Sequence, residues 1–127
     1  AGQWQRAAEA NGLSNIMLVA PSSTNERLQL TATASTGFVY ATSHMGVTGA
    51  QASVDSAAGK LVARTREVTD TPVCVGLGVS NGEQAAEIAE FADGVIVGSA
   101  LIKAAMKSTD DLVTLARELA AGVRGES

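Results

Sequence analysis

Gly94-Val95-Ile96-Val97-Gly98-Ser99-Ala100, followed by an apolar stretch to Met106 and then by Lys107-Ser108-Thr109-Asp110, is the part of the chain that decides its architecture. Gly94 to Val97 reads as a buried strand, and Gly98-Ser99-Ala100 as the turn that leaves it. Two helices follow rather than one. The first covers Ala100 to Met106. The second runs from about Asp110 to Ala121; Ser108 or Thr109 can cap it, and Asp110 and Asp111 place acids in its first turn. A short extra helix after the last strand, opposite a glycine loop after the strand before it, is the usual phosphate site of a (β/α)8 barrel.

Working back from that end, the same unit recurs. Val73-Cys74-Val75-Gly76-Leu77 begins just after Pro72 and passes through Gly78-Val79-Ser80 into a helix of about Gly82 to Phe91. Phe38-Val39-Tyr40-Ala41-Thr42 is rich in β-formers; Gly46-Val47-Thr48-Gly49 follows it, and then a helix of about Val54 to Val68. Ile16 to Ala20 is stopped by Pro21, and Ser22-Ser23-Thr24 offers caps to a helix of about Asn25 to Ala34. The strands are apolar without strict alternation, as expected where both faces of a parallel sheet are covered. Alternating strand and helix with short loops gives a parallel α/β fold. Periodicity leaves an open doubly wound sheet and a barrel equally possible; the paired helices at the end select the barrel.

Composition narrows the function classes. The chain has 127 residues, 46% of them hydrophobic, and a formal net charge of −4. No basic stripe offers a nucleic-acid surface, and no apolar run approaches the length that spans a bilayer. The single cysteine, Cys74, has no internal partner for a disulfide, so a cytoplasmic setting is expected. The sequence opens at Ala1 inside an apparent helix, Gly2 to Ala10, and closes in a polar tail, Arg124 to Ser127. That asymmetry leads us to expect an absent N-terminal portion.

A phosphoryl group needs several N–H donors and no side-chain obstruction, which glycines and helix N-termini provide. Three loops at strand C-terminal ends meet that need: Gly46 to Gly49, Gly76 to Ser80, and Gly98 to Ala100. Charge-assisted hydrogen bonds contribute about 1.5–3 kcal/mol each, so four could hold a phosphate without Arg or Lys.

Gly46-Val47-Thr48-Gly49, preceded by Phe38-Val39-Tyr40, closely resembles strand six and loop six of the tryptophan synthase alpha chain family. Pro72 to Ser80 and Asp93 to Ala100 resemble its strands seven and eight, and Ile16 to Ser22 its strand five. The resemblance implies that residues 1–127 are a single partial domain, the C-terminal half (strands five to eight) of a (β/α)8 barrel. It implies retro-aldol cleavage of indole-3-glycerol phosphate to indole and glyceraldehyde 3-phosphate, with indole passing to a beta subunit. That partner carries pyridoxal phosphate; the alpha chain itself uses no cofactor. By position, Gly49, Gly78, Gly98 and Ser99 would bind the substrate phosphate. Leu18, Tyr40, Leu77 and Ile96 would wall the indole pocket, with Leu77 standing where the family often has phenylalanine. Thr48 would orient a catalytic carboxylate. The family's catalytic glutamate and aspartate lie in its N-terminal half and have no match here, so the isolated chain is expected to be inactive. Its unpaired strand edges are expected to bind the missing half or a second copy.

Other residues carry less. His44 reads as an exposed loop residue, Cys74 as a small core residue, and Trp4 as a packing residue. Asp55, Glu67 and Asp70 read as solvated charges. No His/Cys/Asp cluster has metal-ligand spacing. Two other readings stay open: another phosphate-binding biosynthetic barrel, and a non-catalytic half-barrel that only binds phosphates.

Overall fold

The computed structural model describes residues 2–42 and 56–126. Its elements run α1 (Gly2–Ala10), β1 (Leu18–Val19), α2 (Asn25–Ala34), β2 (Val39–Thr42), α3 (Ser56–Arg66), β3 (Val73–Gly76), α4 (Gly82–Ala89), β4 (Gly94–Val95), α5 (Ser99–Lys107) and α6 (Thr109–Val123). The four strands form one sheet in the order β1-β2-β3-β4, and every pair is parallel. A doubly wound sheet reverses direction at a switch point. Here each strand simply lies beside the next, the order found around a barrel wall.

Side-chain caps fix where three helices begin. Thr24 Oγ1 accepts from Arg27 N at 3.2 Å and Asn81 Oδ1 from Gln84 N at 2.8 Å, starting α2 and α4. Ser108 Oγ accepts from Asp111 N at 3.0 Å, which makes Ser108 rather than Thr109 the cap of α6. Strands are shorter than the apolar runs suggest. β1 keeps only two residues, because Asn15 turns to the α2–β2 turn instead, its N–H donating to Thr36 Oγ1 and its amide to Ala34 O. Beyond β4, Ile96 N still donates to Val75 O at 2.8 Å.

The core lies between one sheet face and the helices. Val19, Val39, Ala41, Val73 and Val75 point into it and meet Leu28, Ala32, Leu61, Val62, Ala85, Ile88 and Leu119. The register pairs Leu18 with Tyr40, Tyr40 with Cys74, and Cys74 with Gly94, so these residues share the opposite face. That face is not covered as the sequence led us to expect. β2 alternates buried and half-buried residues, and Leu18 is 60% exposed.

Two further expectations are corrected. Cys74 is half-buried on the open face rather than in the core. Trp4 is 68% exposed, because the buried residue of α1 is Ala8. Glu67 and Asp70 are exposed, as expected of solvated charges.

At the N-terminal end of the sheet, Asp93 ties three elements together. Its Oδ2 accepts from Val73 N at 2.9 Å, and its Oδ1 meets Arg66 Nη2 at 3.1 Å. The Val73 N–H holds the carboxyl below the usual aspartate range; burial opposes it in part, and the Arg66 hydrogen bond and charge lower it further.

Candidate functional site

A cleft of about 350 Å³ opens at the C-terminal ends of β2, β3 and β4. Tyr40 and Thr42 line it from β2, Gly76 from the end of β3, Leu77, Gly78 and Val79 from the following loop, and Ile96, Gly98 and Ser99 from the β4–α5 connection. Parallel strands place their C-terminal ends together, so loops far apart in sequence converge here.

The local chemistry shapes each wall. Tyr40 reaches across the sheet over Gly76: a Cβ added there would lie 2.5 Å from the Tyr40 hydroxyl oxygen. The residue at 76 must therefore lack a side chain for the tyrosine to lie flat on the floor of the cleft. Gly78 has φ +80°, a left-handed conformation that favours glycine. Leu77 is 5% exposed and joins the core while still bordering the cleft. Gly98 is the N-cap of α5 and supplies no side-chain cap, so the first turn of that helix presents its N–H groups and positive dipole end to the cleft. Every described lining residue is uncharged. Among the described residues, an anion here would be met by backbone N–H groups, hydroxyls and the helix dipole, with no cationic side chain.

Of the residues expected from the sequence, Gly78, Gly98, Ser99, Tyr40, Leu77 and Ile96 come together in this cleft. Leu18 does not line it. It stands one strand away, in register with Tyr40 on the same open face. Thr48 and Gly49, like His44 and Asp55, lie outside the described residues. Thr42, Gly76 and Val79 were not singled out individually. Thr42 has the same strand parity as Tyr40, a signal that places both on one face. Cys74 faces the open side below the cleft, and burial, followed by the Asp93 carboxylate, pushes its thiol above the usual range. A thiol kept protonated is a poor nucleophile. Among the described residues no cluster of His, Cys, Asp or Glu could hold a metal ion, and no helix is long and apolar enough to cross a membrane.

Known proteins match the chain along nearly its whole length. The family model for the tryptophan synthase alpha chain covers residues 1–126. A tryptophan synthase alpha chain of Mycobacterium ulcerans is 60% identical over 124 residues, covering 98% of this chain and 46% of that protein. One of Streptomyces coelicolor is 54% identical over 130 residues, covering 98% and 48%. A solved tryptophan synthase from Mycobacterium tuberculosis superimposes with a TM-score of 0.86 at 57% identity, covering 96% of this chain and 46% of that one. The chain thus spans about half the length of the curated relatives it matches.

Proposed function

This chain belongs to the tryptophan synthase alpha chain family, and from that premise we propose that it is the C-terminal half of the alpha-subunit barrel and carries the phosphate and indole subsites of a carbon–carbon lyase. The parent reaction is retro-aldol cleavage of indole-3-glycerol phosphate to indole and glyceraldehyde 3-phosphate, a step of tryptophan biosynthesis. The observation that carries this reading is the cleft: two glycine loops and an uncapped helix N-terminus meet there beside a tyrosine and two aliphatic walls, with no charged residue among the described lining.

Gly78, Gly98 and Ser99, with Gly49 from the loop after β2, hold the phosphate through backbone N–H groups. Tyr40, Leu77 and Ile96 wall the indole ring. Leu18 extends that wall along the sheet face. Thr48 orients a carboxylate supplied by the other half of the barrel. The proton transfers belong to that other half, and each such group is worth about 10²–10⁴-fold in rate. This chain by itself therefore binds the phosphate end of the substrate without turning it over. It needs no cofactor; pyridoxal phosphate belongs to the beta subunit, which docks on the loop face. The remaining barrel units, or a second copy, cover the open sheet face. Nothing in the charge pattern suits nucleic acid, and the cytoplasm suits the unpaired thiol.

Titration of the chain with glycerol 3-phosphate, followed by amide NMR, is the direct test. Saturable shifts centred on Gly78, Gly98 and Ser99 are expected. Mixing with the N-terminal half should then restore indole release, whereas indole release by the pure chain alone, or no phosphate-dependent shift at these residues, contradicts the assignment.

A further inference from the structure

The β3–α4 loop brings Gly78 and Val79 into the cleft; Val79 is buried in the core, but Gly78 has no side chain and neither residue has a polar side-chain group to fix the loop's backbone. The polar anchorage comes from Gln84, one turn into α4 and only 7% exposed. Its backbone N–H donates to Asn81 Oδ1 at 2.8 Å. Its side-chain Oε1 accepts twice from Ser80, from the backbone N–H at 2.8 Å and from the hydroxyl at 3.2 Å.

The pattern is a capping box displaced by one residue. In the ordinary arrangement the Glu or Gln at the third helical position reaches back to the N–H of the cap itself. Here it reaches past Asn81 to Ser80, outside the helix. The displacement matters because it extends the rigid helix end into the loop. Ser80 lies two residues after Gly78, whose left-handed φ sets the direction of the chain entering the cleft. A buried acceptor that takes two hydrogen bonds fixes the far end of that turn. The charge-neutral amide does so without adding an anion near a site meant for one.

We infer that Gln84 is a positioning residue for the phosphate subsite: by clamping Ser80 it holds Gly78 and Val79 in the shape that receives the phosphoryl oxygens. The inference rests on the phosphate reading of the cleft. Gln84 itself touches no ligand.

The test compares Gln84→Met, which keeps the side chain's length and volume but accepts no strong hydrogen bond, with Gln84→Glu, which keeps both acceptor functions. Glycerol 3-phosphate is the probe. For Gln84→Met the expected result is a dissociation constant raised about fivefold or more, the scale of one lost hydrogen bond, together with loss of the hydrogen-exchange protection of the Ser80 amide. The thermal midpoint falls by several degrees, as for any buried donor left unpaired, so binding and Ser80 protection are the deciding readouts. Gln84→Glu should retain the Ser80 protection. A role limited to filling the core would leave binding intact in Gln84→Met, so unchanged affinity there, or loss of Ser80 protection in Gln84→Glu, overturns the inference. Should Gln84→Met fail to fold, hydrogen exchange of the parent chain without ligand serves in its place: the clamp requires the Ser80 amide to be protected before phosphate binds, and an unprotected Ser80 amide overturns the inference. A parent chain that does not bind glycerol 3-phosphate at all removes the phosphate reading first, and this inference with it.

Discussion

At Gly98 a side chain can be added into open space, since a Cβ there meets nothing within 4 Å. Gly98→Asp should therefore fold. A carboxylate at the N-cap of α5 stabilises the helix by about 0.5–2 kcal/mol, so the thermal midpoint should hold or rise. The same carboxylate occupies the N–H groups offered to a phosphate and repels the dianion. Glycerol 3-phosphate affinity should fall by about tenfold or more, and calorimetric titration showing parent-like binding would refute the role of this helix end. Asp93 gives a second prediction at the same scale. Its carboxyl is held below the ordinary aspartate value in the folded chain. The stability it contributes is therefore present above about pH 4 and lost as pH falls through the lower folded value. Thermal melts from pH 6 to pH 3 should show a flatter decline for Asp93→Asn than for the parent, and parallel declines would contradict this. Some residues were legible in the sequence and others were not. Glycines after strands announce open backbone whatever the tertiary context, so Gly78 and Gly98 could be read directly. Asp93 could not, because its partners, Val73 and Arg66, are brought to it by sheet pairing and by the return of α3.

Helix packing around α4 and α6 turns on two glycines. A Cβ on Gly82 would lie 2.6 Å from Glu118 O, and one on Gly122 would overlap the Gly82 carbonyl. Both obstacles are backbone, which has no rotamer to yield. Glu118 also reaches back, its Oε2 accepting from Gly82 N at 2.9 Å. Gly122→Ala should cost about 1–3 kcal/mol by forcing the helices apart. Gly59→Ala makes the matched control: it lies inside α3 with nothing within 4 Å of the added atom, and should stabilise by about 0.5–1 kcal/mol. Denaturant melts of the two variants should move in opposite directions, and movement in the same direction would refute the packing argument. Element type was readable along most of the chain because caps and breakers are local: Thr24, Asn81 and Ser108 all start helices where the sequence suggests. Element length was less readable. The run from Ile16 to Ala20 is apolar enough for a full strand, but Asn15 bonds to Thr36 and Ala34 and leaves two paired residues. The close contact of α4 with α6 depends on glycines 40 residues apart and has no local signature.

Among the described residues, one sheet face is packed under helices and the other is only partly covered, with Leu18 exposed and Tyr40 and Cys74 half-buried in register along it. Exposed apolar surface and unpaired strand edges favour association. Sedimentation at about 10–100 μM should show the chain as a dimer or higher species, and a monomer stable to dilution and concentration alike would count against an uncovered barrel wall. This openness is what the sequence misrepresented. Val, Cys and Gly in β3 look like a strand buried on both sides, and composition does not tell whether a facing layer is present. Trp4 misled for the same reason, since an aromatic on a helix suggests a partner surface that the described residues do not supply. The sheet order carries a consequence for how the molecule comes to be made. Because each described strand pairs with the next one in sequence, each new unit finds its docking edge already waiting, and only the outer edges of β1 and β4 are left unpaired in this sheet. The cleft at the strand ends, lined from β2, β3 and β4, therefore takes shape only once all three of these strands have paired.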